Sequence, residues 1–99
     1  MDEIALKAGV HAGFSLDEVR QVVDSALRRE ANLANARRIY FARQCSAFEQ
    51  KHQMTSDEFI EQFESGALGD DIVYFDWYAA KRGLDLWERR VRILAGIQV

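Results

Sequence analysis

Apolar residues recur at helical spacing over the last third of the chain. From residue 73 onward they alternate in steps of four and three residues, which is a heptad pattern. Such a pattern places its members on one side of a helix and is typical of a helix that packs lengthwise against another. We therefore predict a C-terminal helix over residues 70–95. Its packing seam comprises Val73, Trp77, Ala80, Leu84, Trp87, Val91 and Leu94.

A second face of the same predicted helix is also apolar. One set of residues repeats every seven positions, with an aromatic residue between its first two members. A helix with two apolar faces either lies at the centre of its own bundle or binds a partner. Because aromatic residues dominate the energetics of protein interfaces, neighbouring tyrosines are added to the set. The candidate partner-binding residues are Ile72, Tyr74, Phe75, Tyr78, Ala79, Leu86 and Ile93.

A capping box predicts the start of a long first helix. In the segment Ser15-Leu-Asp-Glu18, the serine hydroxyl and the glutamate carboxylate can each accept a backbone N–H that has no partner inside the helix. Nothing clearly stops this helix before Lys51, so we predict it over residues 15–52, with residues 1–14 as an N-terminal arm. A helix of about 36 residues spans about 54 Å at 1.5 Å per residue. It needs packing partners along its whole length.

The same signals predict a short second helix and the start of the third. Thr55-Ser-Asp-Glu58 is another capping box, and it opens a helix over residues 55–65. Either Asp70 or Asp71 is expected to cap the C-terminal helix, since an acidic side chain is favourable at a helix N-terminus. Gly83 falls within the heptad pattern, where it indicates either a close helix crossing or a slight kink.

The predicted fold class is all-α. The chain has 99 residues, no proline and 48% hydrophobic residues. This length suits one small domain. The long helix, the short helix and the C-terminal heptad helix are expected to form a helical hairpin or bundle, completed by oligomerisation.

Composition also bears on location. No apolar run approaches the ~20 residues needed to span a bilayer, and the chain has a single cysteine, Cys45. Lone cysteines suit a reducing compartment, so a cytoplasmic protein is expected. Residues 52–80 contain seven acidic residues and no lysine or arginine. This acidic segment either complements basic helices of the same chain or attracts a basic partner.

Catalytic and metal-binding patterns are not predicted. His11 and His52 are far apart in sequence and Cys45 stands alone, so no metal-ligand spacing is present. The chain has no Gly-rich phosphate loop and no nucleophile motif. We expect no catalytic residues, no metal and no cofactor. For His52, a hydrogen-bonded histidine at a helix end is the favoured interpretation.

Nucleic-acid binding is an alternative, based on arginine. Ten of the 13 basic residues are arginine, a side chain well suited to phosphate contacts. However, the pairs Arg28-Arg29 and Arg37-Arg38 are nine residues apart, which places them on opposite sides of a helix. The sequence therefore favours a solvated or protein-binding surface.

Residues 40–94 resemble a known family. The matching positions are Tyr40, Cys45, Phe48-Glu49, Lys51, Met54, Glu58-Phe59, Phe63-Glu64, Gly66, Leu68 to Asp71, Asp76-Trp77 and the closing segment from Leu84 to Leu94. They resemble short prokaryotic antitoxins of two-gene toxin–antitoxin modules, in particular the antitoxin partners of TumE-type toxins. The resemblance implies a cytoplasmic helical protein that binds and neutralises a small, RNA-cleaving toxin. Residues 1–14 have no counterpart in this family.

Three functional hypotheses follow. The first is a non-catalytic interaction protein, an antitoxin-like component that covers the active surface of a small toxin protein. The second is a structural or regulatory helical homodimer, in which self-association buries the second apolar face of each helix. The third is a nucleic-acid-binding regulator that uses the arginines.

Overall fold

Three helices make up the described part of the chain, residues 13–98, in a computed structural model. They are α1 (Leu16–His52), α2 (Ser56–Glu64) and α3 (Ile72–Ala95). No strand occurs within residues 13–98, so the predicted all-α class is confirmed. Most of the predicted N-terminal arm, residues 1–12, lies outside the described residues, as does His11.

The long helix begins and ends with well-formed caps. The Ser15 hydroxyl accepts the Glu18 N–H at 3.1 Å, and the Glu18 carboxylate accepts the Ser15 N–H at 2.8 Å, which completes the predicted capping box. The helix then runs unbroken for 37 residues. It ends where Gln53 adopts a left-handed conformation, with φ of 55°. The chain can therefore reverse direction within a few residues.

The second capping box is only half formed. The Thr55 hydroxyl accepts the Glu58 N–H at 3.1 Å as predicted, but no hydrogen bond runs back to the Glu58 carboxylate among the described residues. Instead, the Glu49 carboxylate of α1 accepts the N–H of Ser56, the first residue of α2, at 2.8 Å. A carboxylate from the preceding helix thus takes over part of the cap, and it fixes α2 against the end of α1.

The N-cap of α3 is Asp71, and Asp70 lies outside the helix. The Asp71 carboxylate accepts the Val73 N–H at 3.1 Å. Before it, Gly66 and Gly69 both have positive φ values, 81° and 82°, which glycine adopts without strain. These two glycines let the chain turn from α2 into α3.

The helices α1 and α3 pack against each other lengthwise as an antiparallel hairpin, and α2 lies across its closed end. The chain measures 61 × 21 × 20 Å. A compact domain of this size has a radius of gyration of about 13 Å, whereas the value here is 19.8 Å. The shape is therefore that of a rod two helices thick, and most residues lie close to the surface.

Candidate partner-binding surface

The most buried part of the molecule is an aromatic cluster around Trp77. Its side chain is 1% exposed, and its indole N–H donates to the Ser56 hydroxyl at 3.0 Å. Phe59 stacks on the indole with ring centres 4.0 Å apart, and Phe48 of α1 stacks at 5.6 Å. All three helices meet here. Trp77 therefore contacts side chains of both other helices.

His52 belongs to this cluster through its ring. Its imidazole stacks on Trp77 at 5.2 Å and lies 6.0 Å from the ring of Tyr74. Its Nε2 atom is buried and has no hydrogen-bond partner within residues 13–98. The expectation of a hydrogen-bonded histidine at a helix end is therefore wrong for this nitrogen, because the ring packs face-on against aromatic neighbours.

The predicted packing seam of α3 faces α1 along its length. Ala80 is buried, as is Trp77, and the remaining members are half-buried: Val73, Leu84, Trp87, Val91 and Leu94. Trp87 is covered by two guanidinium groups, those of Arg37 from α1 and Arg90 from α3, at 5.1 Å and 5.0 Å from the ring. Cation–π contacts of this kind suit a ring near the edge of a hairpin.

The opposite side of α3 carries a second seam, which we call the outer seam. It consists of seven residues that again alternate in steps of three and four, and all seven are exposed: Ile72, Phe75, Ala79, Arg82, Leu86, Arg89 and Ile93. Ile72 is 77% exposed, Leu86 46% and Ile93 54%. Large apolar side chains in a continuous row are unusual on the surface of a protein that acts alone.

Five of the seven predicted partner-binding residues lie on the outer seam, and the two tyrosines do not. Tyr74 is half-buried against Phe59. Tyr78 is half-buried beside Phe63, and its hydroxyl accepts from Arg82 at 2.8 Å. Each tyrosine directly follows a residue of the packing seam and faces α2. Contacts with α2 cover part of each ring.

Sequence reasoning missed Arg82 and Arg89 as members of the outer seam. An arginine contributes its long aliphatic stem to an apolar surface, while its charged end reaches water or a polar partner. The spacing of three and four residues would have included them, but a search for apolar residues alone passes over arginine. Arg82 also pairs with Glu64 of α2 at 3.6 Å, which links the seam to the short helix.

Charge is distributed unevenly along α3. Asp70, Asp71 and Asp76 are exposed at its start, and Arg89, Arg90 and Arg92 are exposed at its end. None of these six forms an ion pair with another described residue. In the middle of the helix, Lys81 pairs with Asp85 at 2.9 Å and with Asp57 of α2 at 3.2 Å. The two ends therefore present opposite charge to whatever approaches the outer seam.

The outer side of α1 carries a sparser row of exposed hydrophobic residues. Val22, Leu33 and Tyr40 are its large members. Around Tyr40 the side chains of α1 border a shallow groove of about 430 Å³, lined by Ala36, Ile39, Tyr40, Arg43, Gln44, Ala47 and Phe48. Small residues dominate this row, so it offers less apolar area than the outer seam of α3.

Arginines of α1 interact with their own chain. Arg28 pairs with Asp24 one turn earlier, and Arg38 donates to the Asn35 amide oxygen at 2.8 Å. Arg37 covers Trp87, as described above. Three of the four arginines in the two pairs considered for nucleic-acid contacts thus have partners within the protein.

Groups capable of chemistry are few within residues 13–98. Among these residues, no group of three or more His, Cys, Asp or Glu side chains is placed to hold a metal ion. Burial raises the pKa of the Cys45 thiol, which is the largest effect on it, while a hydrogen bond with Ser56 opposes that shift. A thiol of this kind stays protonated near neutral pH and is a weak nucleophile.

Comparison with known proteins adds no relative. No protein-family model matches the chain, and neither a curated protein nor a solved structure was found to be similar to it. Within residues 13–98, no helix combines the length and apolar character needed to cross a membrane.

Proposed function

We propose that the protein is a non-catalytic interaction protein, an antitoxin-like component that binds and neutralises a small toxin protein through the outer seam of α3. The single observation that carries this proposal is the continuous exposed row from Ile72 to Ile93 on a helix whose other face is already packed against α1. A helix that offers such a row fits lengthwise into a groove of a partner.

The chemistry of the seam supports a protein as its partner. Its apolar residues are interspersed with the arginines Arg82 and Arg89 and with an aromatic residue, Phe75, and arginine and aromatic residues contribute strongly to binding energy. The acidic start of α3, with Asp70 and Asp76, favours encounter with a basic surface. RNA-cleaving toxins of the kind implied by the sequence resemblance need a basic surface to hold RNA, and a protein that covers this surface would block them.

Nucleic acid is a less suitable partner for this chain. The net charge is −3, and the arginines of α1 are largely engaged by neighbouring side chains. Sequence-independent affinity for nucleic acid rises with the number of free cations on one face. No specific observation favours this function over protein binding.

The proposal is tested by expressing the native operon with a tag on this protein and identifying what co-purifies by mass spectrometry. We expect one small neighbouring gene product in a stoichiometric complex, and suppression of its toxicity on co-expression. The double variant Leu86→Glu/Ile93→Glu should lose at least about tenfold in affinity, because it replaces two exposed apolar residues of the outer seam with charges.

A matched control adds the same number of charges elsewhere. Ser25→Glu/Ser46→Glu changes two exposed residues of α1 and should bind the partner as the native protein does. The proposal is wrong if no partner co-purifies from the native operon, or if the two double variants retain it equally. Circular dichroism of each variant ensures that both are folded.

A further inference from the structure

We infer that, in the free protein, the outer seam of α3 is covered by the outer seam of a second copy of the chain in antiparallel orientation. The inference rests on the proposed function to the extent that both use this face. It states which molecule covers the outer seam before a toxin protein binds there. The neutralising complex would then form by displacing the second copy.

The spacing of the seam is the first argument. Its members alternate in steps of three and four over the whole of α3, about 36 Å at 1.5 Å per residue. This is the spacing by which two helices pack lengthwise with interlocking side chains. The packing seam of α3 uses the same pattern to pack against α1, so the outer seam suits another helix of comparable length.

The charges identify that helix as a second α3. When two copies are aligned antiparallel so that Ile72 faces Ile93 of the second copy, Ala79 faces Leu86 of the second copy. The same alignment brings Asp76 opposite Arg89 of the second copy. The two-fold axis passes between residues 82 and 83, where the Arg82 side chains of the two copies come near each other while each pairs with Glu64 of its own chain. Each end of the seam thus meets the end of opposite charge, and every such contact occurs twice.

A parallel arrangement lacks this complementarity. It would place Asp76 against Asp76 and Arg89 against Arg89, and like charges directly opposite each other are destabilising. None of these side chains is engaged in an ion pair with another described residue. They are therefore available for contacts between copies.

The outer side of α1 has fewer charged side chains available for contacts with a second copy. Several of its arginines are already engaged within the chain, since Arg28 pairs with Asp24, Arg38 donates to Asn35 and Arg37 covers Trp87. This contrast favours α3 over α1 as the surface that self-associates.

The first test is sedimentation velocity on the full-length purified protein alone, at about 50 mM salt to limit screening. We expect a dimer with twice the 11.4 kDa chain mass. Asp76→Arg alone and Arg89→Asp alone should each raise the dissociation constant at least about tenfold, because two symmetry-related contacts change from attraction to repulsion. The combination Asp76→Arg/Arg89→Asp should restore the dimer. Ser46→Glu should leave it unchanged.

The second test determines the relative orientation of the two α3 helices. An equimolar mixture of Ile72→Cys and Ile93→Cys proteins, oxidised with copper phenanthroline, should form mainly the mixed disulfide. Ile72→Cys by itself should cross-link poorly, and so should Ser46→Cys. Cys45 is buried and can remain in place.

The possible outcomes separate the two proposals. A protein that stays monomeric up to about 100 µM, or a charge swap that fails to restore the dimer, overturns the self-association. Efficient Ile72→Cys homodimers overturn the antiparallel orientation. A dimer that captures no partner from the native operon refutes the proposed function and leaves the self-association standing.

Discussion

The aromatic ring of Phe41 occupies the space in which residue 83 would carry a side chain. A Cβ atom built on Gly83 would lie 2.7 Å from two carbons of that ring, which is closer than Cβ atoms come to other heavy atoms. Glycine within a helix costs about 1 kcal/mol relative to alanine. The glycine is tolerated because it lets α1 and α3 approach closely at the middle of the hairpin.

Gly83→Ala is therefore expected to destabilise the protein, even though alanine is the better helix former. Forcing a methyl group against Phe41 costs about 1–3 kcal/mol, which equals or exceeds the gain in helix propensity. Urea unfolding monitored by circular dichroism should give a free energy of unfolding lower by up to about 2 kcal/mol.

Two further variants check this explanation. Gly96→Ala meets only ordinary contacts, the nearest at 3.6 Å, and should change stability little. Adding Phe41→Leu to Gly83→Ala should make the glycine substitution less costly than it is with the native ring. If Gly83→Ala stabilises the protein, the ring of Phe41 is not held over the glycine.

Local signals account for most of what the sequence predicted correctly. The capping box at Ser15 and the heptad of α3 depend on residues within a turn or two of each other, and their physical effects are local. At Gly83, two interpretations remained open, a close crossing or a kink. Only the position of Phe41, more than 40 residues earlier in the chain, decides between them in favour of the crossing.

Contacts between distant residues account for what the sequence did not predict. Aromatic character and nearness to the outer seam of α3 predict Tyr74 and Tyr78 as partner-binding residues. Their surroundings are set by α2, which is held against α1 by the hydrogen bond that the Ser56 N–H donates to the Glu49 carboxylate. Neither the periodicity of α3 nor that of α2 contains this information.

The hydrogen bond from Trp77 to Ser56 should contribute measurably to stability. In Ser56→Ala the indole N–H loses its partner inside the aromatic cluster, and leaving a buried donor without a partner costs about 1–3 kcal/mol. We expect a lower free energy of unfolding by about that amount, measured with urea and tryptophan fluorescence. The control is Ser65→Ala, which removes an exposed hydroxyl that donates to the Gln62 carbonyl. Equal effects of the two substitutions would contradict this role for Ser56.

The thiol of Cys45 should react slowly with thiol reagents. Its pKa is raised above its ordinary value of 9.0, mainly by burial, so at pH 8 it is almost entirely protonated, and the protonated form is a poor nucleophile. An exposed thiol in Cys45→Ser/Ser46→Cys should react at least about tenfold faster with a chromogenic disulfide. Similar rates for the two proteins would show that Cys45 is accessible.

The same pKa shift predicts a dependence of stability on pH. The folded state retains the Cys45 proton at a pH where the unfolded chain gives it up. The contribution is therefore complete below pH 9.0 and is lost as the pH rises through the higher pKa of the folded state. Between pH 8 and pH 10, the native protein should lose more stability than Cys45→Ala does. Parallel curves for the two proteins would contradict the shift.

Lys81 should stabilise the junction of α2 and α3 through its charge. Its ammonium lies between Asp85 and Asp57, with only 16% of the side chain exposed, although Asp57 is largely in water. Lys81→Met keeps the apolar stem and removes both ion pairs, so it should lower the free energy of unfolding by about 0.5–1 kcal/mol. The difference should shrink in 1 M NaCl, where the Debye length falls to about 3 Å.

Lys51→Met is the control, at an exposed position of α1 without an ion pair among the described residues. It should change stability by less than about 0.5 kcal/mol at either salt concentration. A Lys81→Met effect that persists undiminished at high salt would mean that packing of the stem, and not the charge, holds the two helices together.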